Sequence, residues 1–292
     1  MTEPSRVIIS AANAPFYPWL AEAVASVRDK PEGACVPYVV FDLGLTDEQR
    51  AALGRRSVQL ITPGWDYPFF RPPPEWFKAM TARTCLPKWV PGYDLYFWLD
   101  ADAWVQRWQA VEDLFAGAER YGFAVVAEAD RAYTDIESFG PDRAEIVSVD
   151  ERARKLRAYF GEKAVKLRKF PCLNCGVFAA RADSDIWQAW PKLMHTALHN
   201  NPDDTFFAEQ TAMNVALLSG AVRFTRLPAT HNWLLTSARP KVGANGELVH
   251  PEFPHEPLGI VHRTANTKSM NVSLPAVDGS ATSVGFGYPG GG

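Results

Sequence analysis

The chain has no apolar run approaching the roughly 18–20 residues of a membrane-spanning helix. Its first residues, Met1-Thr-Glu-Pro-Ser-Arg6, lack the cationic and apolar regions of a signal peptide. A soluble, cytoplasmic protein with no transmembrane segment is expected. An excess of charge is also missing: 30 Lys and Arg against 33 Asp and Glu leave a net charge of −3. That balance exerts no general pull on nucleic acid or anionic membrane, so nucleic acid is not an expected partner and any phosphate must be held by a local site. Cysteine is scarce, four in 292 residues, which excludes a disulfide framework. Cys35 and Cys85 lie in apolar segments and are expected to be reduced and buried. There is no internal repeat, and no linker-like stretch divides the core elements. One domain over residues 1–277 is expected, with a Gly/Ser/Pro-rich tail, 278–292, that is expected to be disordered.

What is present alternates between strand and helix patterns. Hydrophobic residues make up 47% of the chain, enough for a sizeable core. Val7 to Ala11 is short, β-branched and stopped by Asn13-Ala14-Pro15, which reads as a buried strand. Trp19 to Val27 follows with helical spacing, Val36 to Phe41 reads as a second strand, and Leu60-Ile61 belongs to a third. Between the last two, Thr46-Asp-Glu-Gln49 has the form of a capping box, so a helix starts there. A helix from Trp76 to Leu86, stopped by Pro87, precedes Leu95-Tyr-Phe-Trp-Leu99, a bulky uncharged run too short for a helix and read as a central strand. Phe123 to Ala127 and Val177 to Ala180 are further strands, and Ser184 to Leu198 and Phe207 to Ser219 are helices. Strand–helix–strand units of this size favour an α/β domain with a mostly parallel sheet and helices on its faces.

The central chemical feature is an apolar strand that ends abruptly in Asp100-Ala101-Asp102. Open parallel sheets bind ligands at the carboxyl ends of their strands, so two carboxylates stand at the expected crevice. Adjacent buried carboxylates repel one another, and a divalent cation removes that cost. Hard oxygen ligands suit Mn²⁺ or Mg²⁺, which also bind diphosphate oxygens. Alone the D-x-D pattern is weak, because solvated acids in surface loops produce it too. Phosphatases of the haloacid dehalogenase type also carry D-x-D after a strand, but near the N-terminus and with Thr or Val two residues on. Here several strands precede the motif, and that later position is Trp104.

Taken in order, further motifs sharpen the reading. They are Ser10-Ala-Ala-Asn-Ala-Pro-Phe16, Phe41-Asp-Leu-Gly-Leu-Thr-Asp-Glu-Gln49, Arg83, Leu99-Asp-Ala-Asp102, Leu173-Asn-Cys-Gly-Val-Phe178, Ala208-Glu-Gln-Thr-Ala-Met-Asn214, and His262 followed six residues later by Lys268. Their joint order resembles glycosyltransferase family 8, nucleotide-sugar enzymes with the GT-A fold. The resemblance implies a retaining, metal-dependent glycosyltransferase, with a hexosyl group on a nucleotide-diphosphate donor, UDP by preference. The acceptor would be a glycan, a lipid-linked molecule or another small acceptor. It implies Asp100, Asp102 and His262 as ligands of Mn²⁺ or Mg²⁺. Ala11, Asn13, Phe16, Arg83, Asp100, Ala101 and Lys268 would bind the nucleotide-sugar. Glu209, Gln210 and Asn174 would act at the sugar. The chemistry of each fits: a neutral imidazole ligates metal, an ammonium neutralises a departing diphosphate, a guanidinium fork reads phosphate or hydroxyls, and Phe16 can stack on a base.

The chain departs from the family at four places. Asn13 and Ala265 replace an acid and a glycine, Cys175 replaces a small residue, and Glu209 replaces an aspartate. A non-catalytic nucleotide-sugar or glycan-binding module on the same scaffold is the alternative. Cys172-x-x-Cys175 with His195 and His199 suggests zinc, but an apolar strand and a helix carrying Trp187 and Trp190 fill the gap, which reads as core. The basic stretch Lys163, Lys166, Arg168 and Lys169 reads as a solvated face, or as an attraction for an acidic acceptor.

Overall fold

The computed structural model describes residues 3–69, 73–133, 149–269 and 271–290. Residues 70–72 and 134–148 lie outside the described residues. Strand β1 (Arg6–Ala12) leads to α1 (Tyr17–Arg28), β2 (Tyr38–Asp42), α2 (Asp47–Arg55) and β3 (Val58–Ile61). Helices α3 (Lys78–Ala82) and α4 (Leu86–Trp89) precede β4 (Leu95–Leu99), β5 (Ala103–Val105), α5 (Gln109–Tyr121) and β6 (Phe123–Ala127). Next come α6 (Val149–Phe160), β7 (Leu173–Arg181), α7 (Ile186–Asn200), α8 (Ala208–Leu218) and β8 (Thr225–Leu227). The C-terminal part contains β9 (Trp233–Leu234), β10 (Lys241–Val242), β11 (Leu248–Val249), β12 (Ile260–His262), β13 (Asn271–Pro275) and β14 (Ala281–Gly285).

The central sheet has the order β3-β2-β1-β4-β7-β6-β8. Every pairing in it is parallel except those of β7, which runs antiparallel to both β4 and β6. Side chains alternate across this sheet with period two, so each strand feeds two cores. Val7, Ile9, Tyr96, Trp98, Phe178 and Ala180 pack with Trp190, Met194 and Met213 of α7 and α8 on one face. Ile8, Leu95, Phe97, Leu99, Val177 and Ala179 meet Leu20 and Val24 of α1 and Val111, Leu114 and Phe115 of α5 on the other. This two-sided burial is why Leu95–Leu99 reads as an unbroken apolar run.

The Thr46 capping box forms in both directions. The helix expected to stop at Pro87 instead continues as alternating 3-10 and α turns from Glu75 to Trp89. Pro87 is the second residue of α4, where a missing N–H is tolerated. Two other expectations are corrected. Cys35 is exposed and Cys85 only half-buried, because Cys35 falls in the turn between α1 and β2 rather than in the strand. The tail, expected to be disordered, carries β14 paired with β13, and Phe286 beyond it is buried. The Trp104 indole N–H donates to the Phe286 carbonyl at 2.9 Å. Among the described residues no helix is long and apolar enough to cross a membrane.

Candidate active site

Strand β4 delivers Asp100 and Asp102 to the carboxyl end of the sheet. A second, three-stranded sheet, β5-β12-β9, brings the rest. Strand β5 follows the acids immediately and pairs antiparallel with β12, in a register that sets His262 opposite Ala103. The imidazole thus reaches carboxylates 160 residues away in the chain, with Nε2 3.2 Å from Asp102 Oδ1 and 3.8 Å from Asp100 Oδ2. The ligand atoms of the three side chains all lie within 4.8 Å of one another, and they form the only such group among the described residues.

The carboxylates are held from behind. Asp100 Oδ1 accepts from the Trp98 indole N–H at 2.7 Å and faces Arg83 Nη1 at 3.2 Å. Its other oxygen is left toward His262. Asp102 Oδ2 lies 2.8 Å from Lys268 Nζ. Burial pushes the Asp102 carboxyl up, but His262 and Lys268 outweigh it and hold the group well below the usual carboxylate range. Space is provided by Gly176, whose carbonyl accepts from the Asp100 N–H at 2.8 Å. A Cβ there would lie 2.4 Å from the His262 ring and 2.6 Å from Asp100 Oδ2. Two carboxylates, an imidazole and a glycine-made recess fit a divalent cation, and Lys268 already places a positive charge on one of these acids.

All the residues singled out for donor, metal or catalysis line one cavity of about 520 Å³. Asn13 and Phe16 stand at its β1 end. The Asn13 side-chain oxygen Oδ1 is used locally, accepting from the Phe16 N–H at 3.2 Å, and Phe16 stays 40% exposed with Lys268 Nζ over its ring. Arg83 is buried, stacked over Trp98, and donates to the Cys175 carbonyl at 3.1 Å. Glu209 and Gln210 open α8, but Gln210 does not cap the helix. Its Oε1 accepts from the Cys175 N–H at 3.2 Å, and its Nε2 faces Glu128 and Cys172. Glu209 is buried and one of its oxygens has no protein partner. Burial raises its pKa, only partly offset by Arg83.

Ala265, where the family keeps glycine, has a left-handed backbone with φ of 49°. Glycine adopts that conformation freely, whereas alanine pays about 1–2 kcal/mol. Among the described residues Cys172 and Cys175 join no metal-binding group, and burial pushes both thiols well up. His195 and His199 lie exposed on α7, and Trp190 fills the core beneath. Lys163, Lys166, Arg168 and Lys169 are exposed.

Glu128 and Phe206 also line the cavity and Asn232 stands behind His262, none of them marked by a motif in the sequence. Glu128 follows β6 at the carboxyl end of a strand, a position the sheet rule could have marked. Asn232 precedes a two-residue strand that leaves no periodic signal.

No protein-family model matches the chain, and no curated relative does. Solved structures do match. One is the galactosyltransferase LgtC in complex with donor and acceptor sugar analogues, at 14% identity and TM-score 0.52, covering 89% of this chain and 88% of that one. The bifunctional glycosyltransferase WbbM matches at 12% identity and TM-score 0.55 over 91% of this chain, which spans 47% of WbbM. The glycosyltransferase GlyE of Streptococcus pneumoniae TIGR4 matches at 14% identity and TM-score 0.53, over 93% of this chain and 57% of that one. All three are glycosyltransferases by name, and the likeness extends over most of this chain. With its seven-stranded, mostly parallel sheet, this chain has the GT-A glycosyltransferase fold.

Proposed function

We propose that this chain is a retaining, metal-dependent glycosyltransferase that moves a hexosyl group from a UDP-sugar to a carbohydrate or other small acceptor. The observation that carries the reading is the cluster of Asp100, Asp102 and His262, with Lys268 on its rim, on the wall of a single large cavity. Asp100, Asp102 and His262 would hold Mn²⁺ or Mg²⁺. When bound, the ion draws the donor's diphosphate oxygens in and offsets the charge that develops as they leave.

The chain's own groups then have distinct tasks. Lys268 exchanges Asp102 for a phosphate oxygen. Phe16 packs on the base, and the Asn13 amide N–H group, left over from its turn, bonds it. Arg83 is held rigid by Asp100, Trp98 and the Cys175 carbonyl and lends a fixed positive charge to the sugar end. Glu209 accepts a sugar hydroxyl on its unpartnered oxygen. In the transfer, the bond between the anomeric carbon and the phosphate oxygen breaks. The acceptor oxygen bonds that carbon from the same face and passes its proton to the departing diphosphate. Trp76 and Phe206 line the cavity while 40% and 43% exposed, which suits the C–H face of a sugar acceptor.

The test is incubation with a panel of nucleotide-sugars and Mn²⁺, scoring release of nucleotide diphosphate. Release from one UDP-sugar that stops in EDTA and returns with Mn²⁺ is expected. Full turnover in metal-stripped EDTA would overturn metal dependence. Tight donor binding without turnover of any donor would favour the binding-module reading.

A further inference from the structure

A chain of buried amides runs from Glu128 to the metal-site imidazole, and it has only one possible direction. A carboxylate accepts and does not donate, so Glu128 Oε1 takes an N–H from Asn174 Nδ2 at 2.8 Å. This turns Asn174 Oδ1 the other way, where the Gly176 backbone N–H also donates to it at 2.9 Å. Two independent neighbours therefore fix the Asn174 amide. Its oxygen accepts from Asn232 Nδ2 at 3.0 Å, which leaves Asn232 Oδ1 facing His262 Nδ1, also at 3.0 Å. Asn232 and His262 are 1% and 3% exposed, so water does not readily replace these partners.

We propose that Asn232 is a positioning residue that locks His262 in the tautomer with its proton on Nδ1, with Glu128 and Asn174 setting its direction. The inference deepens the proposed metal site and rests on that reading only for its consequence. In the neutral ring with its proton on Nδ1, Nε2 is the nitrogen left to Asp100 and Asp102, as a metal ligand requires, and in the charged ring the same Nε2 donates to Asp102 Oδ1 at 3.2 Å. The opposite neutral tautomer would need Asn232 to flip. Its oxygen would then confront Asn174 Oδ1, which Glu128 and Gly176 hold in place. The relay therefore leaves Nε2, and not Nδ1, as the ring atom that can ligate a cation. It also links the imidazole to Asn174 and, through Glu128, to Gln210, whose Nε2 lies 3.3 Å from the same carboxylate oxygen.

The test reads the ring directly. Two-bond ¹⁵N–¹H correlation NMR on metal-free, histidine-labelled protein, at a pH high enough to keep the ring neutral, is expected to show His262 protonated on Nδ1. A wild-type ring protonated on Nε2 would overturn the proposal, whatever the enzyme does. Asn232→Ala is expected to give a mixture of tautomers and about 10- to 100-fold weaker Mn²⁺ binding by calorimetry. Asn232→Asp keeps an acceptor facing Nδ1 and is expected to retain the tautomer. If both variants lost thermal stability with the tautomer unmoved, Asn232 would be a packing residue only. A locked tautomer in a protein that transfers no sugar would leave the relay standing and sink the proposed function.

Discussion

At the scale of single residues, the site contrasts two acids. Asp102 is held ionised by His262 and Lys268, and Glu209 is pushed toward its neutral form by burial. An acid whose folded-state pKa is raised contributes stability that is complete below its ordinary value near 4.5. That contribution is lost as pH rises through the raised folded value. Glu209→Gln stays neutral, so it is expected to raise Tm at neutral pH by a margin that vanishes on acidification. Scanning calorimetry in EDTA measures this, and a pH-independent margin would contradict it. Lys268 makes a different prediction. Its ammonium bonds a carboxylate now and would bond a phosphate in the complex, a charge-assisted contact of about 1.5–3 kcal/mol. Lys268→Ala is expected to weaken UDP binding with Mn²⁺ about ten- to a hundredfold by calorimetry. Unchanged affinity would remove Lys268 from the diphosphate site.

At the scale of elements, the start of α8 depends on a neighbour. Phe207, just before it, has a left-handed backbone with φ of 68° and gives no side-chain cap. What holds the turn is α6. Lys155, 4% exposed, pairs with Asp204 and donates to the Phe206 carbonyl at 3.1 Å, and the Tyr159 hydroxyl donates to the Asp204 and Phe206 carbonyls. Lys155→Met is expected to cost about 1–3 kcal/mol and to speed amide exchange locally at residues 203–209. Uniform exchange across the molecule would mean that α6 does not brace the site. The pairing of β5 with β12 is the other decisive element, since its register sets His262 opposite Ala103, beside the acids.

At the scale of the molecule, the C-terminal segment closes the structure behind the site. Phe286 is buried, its carbonyl accepts from Trp104, and the Tyr288 N–H donates to Glu22 of α1 at 2.7 Å. Trp104 belongs to β5, so the tail braces the strand that follows the acids. Phe286→Ala is expected to destabilise the fold by about 3 kcal/mol in chemical denaturation. A loss near zero would return the tail to the role expected from its composition. The Gly- and Ser-rich average of this stretch points to disorder, whereas one buried aromatic and its backbone hydrogen bond decide how it docks.

The sequence by itself determined β1 to β4, β6 and β7 of the central sheet and most of the helices that cover it, because period-two and period-3.6 patterns are local properties of a chain. It also marked Asp100 and Asp102, which end an apolar strand, and, by resemblance, Arg83, His262 and Lys268. Only the tertiary structure decided that His262 meets those acids, that Gly176 clears room for them, and that Glu128 and Asn232 stand behind the ring. These contacts join residues far apart through short strands and single amides. Their direction comes from which partner can donate, a fact settled only when the groups lie side by side.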